Sequence, residues 1–259
     1  LLDHPKFADC DLRHIDRIIH GASPISPGLL ERAMRALPHC GFQSAYGMTE
    51  TAATACTNGP SRWGDGAPLG PCELAAGRAC FGNEVRVVDA EGREVPRNTV
   101  GEITLRGANV MRGYWNKPEE TRAALRDGWL RTGDGGFMDE AGYVHIVDRI
   151  KDMIISGGEN VYSAEVEGAL SRHPAVAACA VIGIPSAAWG EAVHAVVVLR
   201  PGESATEEQL RAHCRNSLAG YKCPKSIEFR DALPLSPAGK VLKTVLREPL
   251  WSGSARQIN

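Results

Sequence analysis

The segment Ser44–Glu50 reads SAYGMTE and brings an aromatic ring, a glycine, a hydroxyl and a carboxylate close together in the chain. The ring of Tyr46 could stack on a nucleobase, and Gly47 could let the backbone approach a phosphate. The hydroxyl of Thr49 could donate to that phosphate, and the carboxylate of Glu50 could hold a magnesium ion. Taken alone, such an aromatic is usually a core residue and such a Thr-Glu pair usually begins a helix. Nucleotide binding therefore needs support from the rest of the chain.

Later segments carry residues that allow two interpretations each. Asp134 lies between two glycines just after a strand-like stretch, and is either a turn residue or an acceptor for ribose hydroxyls. Arg149 closes a predicted strand, and is either a surface ion-pair partner or a ligand of ribose or phosphate. The glycines of Ser156–Asn160 form either a simple turn or a backbone surface that a ligand approaches. Lys240 is either a solvated charge or a movable cation for a phosphate.

The composition limits the class of protein. An apolar fraction of 43% and a charged fraction of 23% are ordinary for a soluble globular chain of 259 residues. A net charge of −2 provides no basic surface field, so we expect no nucleic-acid partner. Eight cysteines occur without a C-x-x-C pair, which favours reduced thiols and a cytoplasmic location. No apolar run approaches the length of about 20 residues that spans a bilayer, so we expect no transmembrane segment.

Apolar periodicity and turn residues divide the chain at about Ile150–Asp152, into residues 1–150 and 151–259. Short strands predict a small curved β subdomain over residues 78–148, and the second part is typical of a compact α+β domain. The predicted helices are Ser26–Leu37, Lys117–Leu125, Ser163–His173, Thr206–Leu218 and a last short helix at Lys240–Trp251. The predicted strands are Glu84–Asp89, Glu102–Gly107, Tyr143–Arg149, Ala177–Ile184, Ala192–Arg200 and Ser226–Arg230. A loop rich in Gly and Pro is expected over Thr54–Gly77.

Five motifs occur in a fixed order: aromatic-Gly-x-Thr-Glu, Arg-Thr-Gly-Asp, Asp-Arg-x-Lys-Asp, Ser-Gly-Gly-Glu-Asn and Pro-x-Gly-Lys. Together they resemble the adenylate-forming ligases, which include acyl-CoA synthetases, luciferases and the adenylation domains of peptide synthetases. The resemblance continues through HGASPISPGLLERA, GYWNKPEET, DGWLRTGD, VIGIPSAAWGEAVHAVVVLRPG and YKCPKSIEF. YGMTE together with KDMIISGGENVYSAEVE is most similar to the medium- and long-chain fatty-acid–CoA ligases and to close aryl-CoA ligases.

The resemblance implies a pocket for ATP or AMP. Tyr46 would stack on adenine, and Asp134 would bind the ribose hydroxyls with support from Arg149. Thr49 would bind the α-phosphate and Glu50 would hold Mg²⁺. The other residues that the resemblance assigns to the adenine and acyl side of this pocket are Gly21, Ala22, Ser23, Ala45 and Gly47.

The resemblance also implies roles for the second part of the chain. Lys240 would bridge the phosphate and the carboxylate substrate while the adenylate forms. Lys151 would be the hinge between a large and a small domain. The residues that would line the channel for coenzyme A are Ser156, Gly157, Gly158 and Glu159. Ser163 stands where many relatives carry proline, and we expect it to cap the following helix.

The implied fold is the remainder of a large adenylate-forming domain, an α/β layer with a small β-barrel-like subdomain, followed by a mobile α+β domain. The implied function is the C-terminal half of an ATP-dependent carboxylic acid–CoA ligase that acts on a fatty acid. Because Leu1 rather than methionine begins the chain, and the family's Ser/Thr/Gly-rich phosphate loop is missing, we expect a fragment without full activity. Two alternatives stay open: a non-catalytic nucleotide-binding remnant, and an adenylating enzyme whose acceptor is a carrier-protein thiol or oxygen.

Overall fold

The computed structural model describes residues 2–23, 25–64, 69–237 and 239–252. Residues 65–68 of the predicted Gly- and Pro-rich loop, Pro24 and Ala238 therefore lie outside the described residues. The chain divides into two compact units, Leu1–Ile146 and Val147–Asn259. Along the described stretches, no helix has both the length and the apolar character needed to cross a lipid bilayer.

The first unit begins with a four-stranded sheet in the order β1-β2-β3-β4. Its strands are β1 Arg17–Gly21, β2 Gly41–Tyr46, β3 Cys56–Thr57 and β4 Arg78–Ala79. β1 and β2 run parallel, whereas the other pairs are antiparallel. A parallel pair needs a crossover connection, and helix α1 (Pro27–Ala36) lies within it. A second, one-turn helix, α2, covers Pro71–Leu74.

Helix α1 confirms the prediction made from SPGLLERAMRAL. The side chain of Ser26 accepts a hydrogen bond from the amide of Leu29, and proline occupies the first turn, where its missing N–H leaves no bond unmade. Leu30 and Met34 lie one helical turn apart and are almost fully buried in a cluster that contains Phe42 of β2. The helix therefore packs its apolar stripe against the parallel pair.

A second sheet has the strand order β5-β6-β8-β7, with β9 paired to β8. Its strands are β5 Asn83–Val88, β6 Gly101–Gly107, β7 Leu125–Arg126, β8 Trp129–Met138 and β9 Val144–Arg149, and helix α3 covers Pro118–Ala124. Ile103, Leu105 and Val144 are at most 1% exposed, because alternate residues of these strands face one core. These elements confirm the predicted short strands and the predicted helix at KPEETRAAL.

Asp134 lies within strand β8 and not in a turn after a strand, which corrects the simpler interpretation of the sequence. The register of β6 against β8 shifts between Glu102 and Thr104, so residues 132–134 of β8 lie opposite the single residue Ile103. Gly133 takes a φ of +71°, a conformation that glycine adopts without steric cost. The result is a bulge, which changes the direction in which a side chain points.

The second unit contains a five-stranded sheet in the order β11-β10-β13-β12, with β14 paired to β13. Its strands are β10 Ile154–Ser156, β11 Glu159–Val161, β12 Val176–Ser186, β13 Gly190–Leu199 and β14 Ser226–Phe229. Two helices, α4 Ser163–Leu170 and α5 Glu207–Arg215, contribute Leu170 and Leu210 to its core. The predicted capping box is present at Thr206, whose hydroxyl accepts from the amide of Gln209 at 3.2 Å. These elements confirm the predicted α+β character.

The last helix, α6, is shorter than predicted, because it covers only Lys243–Arg247 and a 3₁₀ turn follows at Glu248–Leu250. Two of its side chains lie one turn apart and reach carboxylates in the same unit. Arg247 pairs with Asp152, and Lys243 pairs with Glu167 at 2.7 Å. Burial raises the pKa of Glu167, and the charge of Lys243 opposes that shift.

Ser163 does not cap helix α4, which corrects another expectation. The N-cap residue is Tyr162, and Ser163 is a fully buried first residue of the helix. Its hydroxyl donates to the carboxylate of Asp148 at 2.6 Å and accepts from the Lys243 ammonium at 2.5 Å.

The polar side chains around helix α6 form one connected set, which we call the α6 clamp. Its members are Lys243, Arg247, Ser163, Asp148, Asp152 and Glu167. This set of polar contacts joins the last helix to the residues on both sides of Lys151.

We predict that Arg247→Met lowers the free energy of unfolding by about 3 to 5 kcal/mol, because it leaves the carboxylate of Asp152 buried without its cation. The two side chains are only 10% and 13% exposed, so solvent cannot replace the lost partner. Urea unfolding followed by circular dichroism measures the change. Arg230→Met is the matched control, since Arg230 and its partner Glu228 are 37% and 40% exposed and their pair should contribute less than about 1 kcal/mol. Equal effects of the two substitutions would contradict the prediction.

Candidate active site

The carboxyl ends of the parallel strands β1 and β2 bring together the first predicted site residues. Gly21 ends β1 directly beside Ala45 of β2. A Cβ atom at Gly21 would lie 2.0 Å from the backbone oxygen of Ala45, so only glycine allows this approach. Ala22 follows with a φ of 63°, and Ser23 is exposed. In open α/β sheets, ligands bind outside the carboxyl ends of parallel strands, and these residues lie at such a position.

Tyr46 and Asp134 meet at this end of the sheet, although they lie 88 residues apart in the chain. The Tyr46 hydroxyl donates to Oδ2 of Asp134 at 2.7 Å. Asp134 is 8% exposed, and its amide donates to the hydroxyl of Thr132 at 3.1 Å. That hydroxyl in turn donates to the backbone oxygen of Ile103 at 2.7 Å, which anchors the bulge. Burial, and then the negative charge of Asp134, raise the pKa of Tyr46 well above its usual value.

The turn after β2 presents Thr49 and Glu50. Gly47 is required at its start, because a Cβ atom there would lie 2.1 Å from the backbone oxygen of Ala53. A single 3₁₀ turn covers Thr49–Thr51, and the Thr51 hydroxyl both accepts from the amide of Met48 and donates to its backbone oxygen, each at 3.0 Å. This closed turn leaves the side chain of Thr49 exposed beside that of Glu50.

Tyr114 contacts this turn and was not predicted as a site residue. Its hydroxyl donates to Oε1 of Glu50 at 2.7 Å, across 64 residues of chain. The hydrogen bond to Glu50 is the main cause that raises the pKa of Tyr114 to about 12. The sequence contained the tyrosine within GYWNKPEET, but no local spacing connects it to Glu50.

The carboxylate of Glu50 fits a magnesium ion that arrives with a nucleotide. Within the described ranges, no three His, Cys, Asp or Glu side chains are grouped so that they could hold a metal ion by themselves. Mg²⁺ in nucleotide sites is commonly held by one or two carboxylates together with phosphate oxygens and water. A single carboxylate beside an exposed threonine hydroxyl is such a donor set.

The remaining predicted residues belong to the second unit. Arg149 and Lys151 are exposed, at the end of β9 and in the 3₁₀ turn that follows it. Ser156 is buried and pairs with Glu159 across a two-residue hairpin turn.

The hairpin turn between β10 and β11 consists of two glycines. Gly157 and Gly158 have φ values of +63° and +84°, as a type I′ turn requires. A Cβ atom at Gly157 would lie 2.9 Å from the Trp189 ring, so the backbone lies close to the indole. The turn therefore presents exposed backbone at its tip.

Lys240 lies in a tight connection before helix α6, and not at the start of a helix as expected. The backbone of Ser236 donates to the Lys240 oxygen at 2.8 Å, and the Lys240 amide donates to the Ser236 hydroxyl at 3.1 Å. Leu235 and Val241 form the next antiparallel bridge. Gly239 has a φ of +77°, which allows the chain to reverse. This connection fixes the backbone at Lys240 and leaves its side chain exposed.

Comparison with protein-family models agrees with the motif order. A model described as AMP-binding enzyme matches residues 1–115, and one described as AMP-binding enzyme C-terminal domain matches residues 165–240. The chain belongs to the AMP-binding enzyme family. The adenylate-forming family predicted from the motifs is therefore confirmed.

Relatives within the AMP-binding enzyme family match along almost the whole chain. The fatty acid–[acyl-carrier-protein] ligase ScoC of Streptomyces coeruleorubidus is 42% identical over 259 residues, which are 100% of this chain and 49% of that protein. A feruloyl-CoA synthase of Amycolatopsis sp is 44% identical over 94% of this chain and 48% of its own length. The amide bond synthetase McbA from Marinactinospora thermotolerans superposes with a TM-score of 0.86 at 38% identity, over 95% of this chain and 50% of that structure. The chain thus spans about half the length of the relatives it matches.

We predict that the phenol of Tyr46 stays protonated in the folded protein at pH values above the ordinary tyrosine pKa of about 10, because burial and the charge of Asp134 raise its pKa. Because the folded state holds this proton more tightly than the unfolded state, the resulting stability is present below about pH 10 and is lost as the pH rises further. We would titrate the tyrosinate absorbance of both proteins with base. Over the pH range in which both are folded, the wild type and Tyr46→Phe should give the same curve. The prediction would be contradicted if Tyr46→Phe lacked the absorbance change of one tyrosine that titrates in the wild type with a midpoint at about pH 10.

Proposed function

We propose that this chain is the C-terminal half of an ATP-dependent carboxylic acid–CoA ligase that activates a fatty acid. The observation that carries the proposal is the hydrogen bond between Tyr46 and Asp134 at the carboxyl ends of β1 and β2. It joins two of the motifs of an AMP-binding enzyme at the place where an adenosine would lie. The name of ScoC, a fatty acid ligase 42% identical to this chain, supports the choice of acid.

In this proposal the first unit binds the nucleotide. Tyr46 packs against adenine, and the carboxylate of Asp134 accepts hydrogen bonds from the ribose hydroxyls. Thr49 donates to the α-phosphate. Glu50 would hold Mg²⁺, which offsets the negative charge of the phosphates when it is bound.

The first chemical step joins two anions, so it requires positive charge. A carboxylate oxygen of the acid attacks the α-phosphorus, the bond to the β-phosphate breaks, and pyrophosphate leaves. Negative charge grows on the α-phosphate during this step, and the ammonium of Lys240 would stabilise it. The Ser236–Lys240 connection supports this role, because it holds the lysine backbone firmly and leaves the side chain free to reach a ligand.

The second step transfers the acyl group to a thiol. The sulfur attacks the acyl carbon, the bond to the phosphate oxygen breaks, and AMP leaves. The mixed anhydride must be shielded from water before this attack, and the thiol then needs its own path. We assign the hinge for that change to Lys151 and the pantetheine path to Ser156, Gly157, Gly158 and Glu159, with Arg149 supporting the ribose.

The molecule that accepts the acyl group is the part of the proposal for which specific alternatives exist. ScoC, the feruloyl-CoA synthase and McbA differ in what their names say they join: a carrier protein, coenzyme A and an amide bond. We propose that the acceptor is coenzyme A, because the segment KDMIISGGENVYSAEVE resembles the acyl-CoA and aryl-CoA ligases. The cysteines without a C-x-x-C pair support a cytoplasmic location. Product formation with coenzyme A, with a carrier-protein thiol, or with neither separates the candidates.

We predict that Lys240→Ala, in the full-length protein that contains this chain, lowers the rate of adenylate formation at least about 100-fold, because the charge on the α-phosphate loses its cation. Thioester formation from supplied acyl-adenylate should stay within about threefold of the wild type, since that step does not need the same charge. Pyrophosphate release measures the first step, and thiol consumption measures the second.

Lys6→Ala is the control, because Lys6 is an exposed lysine of the first unit and has no assigned role. Equal losses in both half-reactions would contradict the assignment of Lys240. ATP binding without pyrophosphate release by the wild type, for any acid in a fatty and aryl panel, would favour the non-catalytic remnant.

A further inference from the structure

A segment that follows β6 holds the turn that carries Glu50. The side-chain amide of Asn109 donates to the backbone oxygens of Thr51 at 2.9 Å and Thr54 at 3.1 Å. The amide of Met111 donates to the backbone oxygen of Glu50 at 2.7 Å. The backbone at Glu50 is therefore fixed from outside its own turn.

Tyr114, at the end of the same segment, holds the side chain as well. Its hydroxyl donates to Oε1 of Glu50 at 2.7 Å. In the part of the chain that the structure describes, no other group donates a hydrogen bond to this carboxylate. Oε1 is thus engaged, and Oε2 is the oxygen left to meet a ligand.

We propose that Tyr114 is a positioning residue that selects the conformation of Glu50 and presents its Oε2 to the magnesium ion of MgATP. This role rests on the proposed function. Tyr114 would not touch the nucleotide and would act only through the carboxylate.

The physical reason lies in the freedom of a glutamate side chain. A partly exposed glutamate has several rotamers of similar energy, and a ligand that needs one of them must bear the entropy of selecting it. Mg²⁺ also requires near-octahedral geometry with short bonds, so a carboxylate that samples several rotamers is a poor ligand. A hydrogen bond made before the ion arrives removes that cost in advance.

The exposure of Tyr114 indicates that its role depends on the hydroxyl group and not on packing of its ring. The residue is 38% exposed, and it is not among the hydrophobic side chains that form or pack against the cores of the first unit. A side chain needed mainly for packing would be covered. Tyr114→Phe keeps the ring and removes only the donor, so it isolates the proposed contact.

The test compares Tyr114→Phe with the wild type in the full-length protein by isothermal titration with ATP, once with excess Mg²⁺ and once with EDTA. We expect the variant to bind MgATP about tenfold more weakly and metal-free ATP with unchanged affinity, because the lost hydrogen bond is to a charged group that only the metal uses. Tyr143→Phe is the matched control, since the Tyr143 ring packs against the Arg78 guanidinium at 4.4 Å and the residue has no assigned role in the site. It should bind both forms as the wild type does.

A double-mutant cycle adds a second measurement. If Tyr114 acts through Glu50, then Glu50→Gln combined with Tyr114→Phe should bind MgATP no more weakly than Glu50→Gln alone. Additive losses would overturn the proposal, and so would equal weakening of MgATP and metal-free ATP or an unchanged affinity of Tyr114→Phe for MgATP. If the wild type bound no ATP in either buffer, the proposed function would fail and the role of Tyr114 with it. Normal ATP binding with an unaffected Tyr114→Phe would overturn the role of Tyr114 alone.

Discussion

The hydrogen bond from Tyr46 to Asp134 is the interaction on which the first unit's site depends. It ties the end of β2 to the bulge in β8. Further contacts fix both the end of β2 and the bulge. Gly21 lets β1 approach β2 at the same level, while Thr132 anchors the bulge through the backbone of Ile103. Two sheets formed by distant parts of the chain therefore place a neutral phenol and a buried carboxylate side by side.

The second unit fixes the backbone at Lys240 and leaves the ammonium group of that residue exposed. The α6 clamp joins the last helix to Asp148 and Asp152 on either side of Lys151. The connection that carries Lys240 is closed by Ser236 only a few residues before that helix. The clamp fixes the residues beside Lys151, and the Ser236 contact fixes the backbone at Lys240, so both are tied to the body of this unit.

Local patterns predicted the elements well, whereas long-range contacts decided the details of the site. The cap at Ser26 and the capping box at Thr206 are written within a few residues of sequence, so both helices were predicted correctly. The bulge at Asp134 depends on the register of a partner strand, which no local pattern specifies. Ser163 looked like a cap but is held by Asp148 and Lys243, the latter 80 residues further along the chain. Tyr114 escaped prediction for the same reason.

The central claim is that Asp134 recognises the ribose of an adenosine phosphate beside Tyr46. The most direct test is to measure the affinities of ATP and 2′,3′-dideoxy-ATP for the wild type and for Asp134→Asn in the full-length protein. The account predicts that the wild type prefers ATP by at least about tenfold, because two hydroxyls donate to a carboxylate, and that Asp134→Asn loses most of this preference. A variant that retained the full preference for ATP would contradict the account.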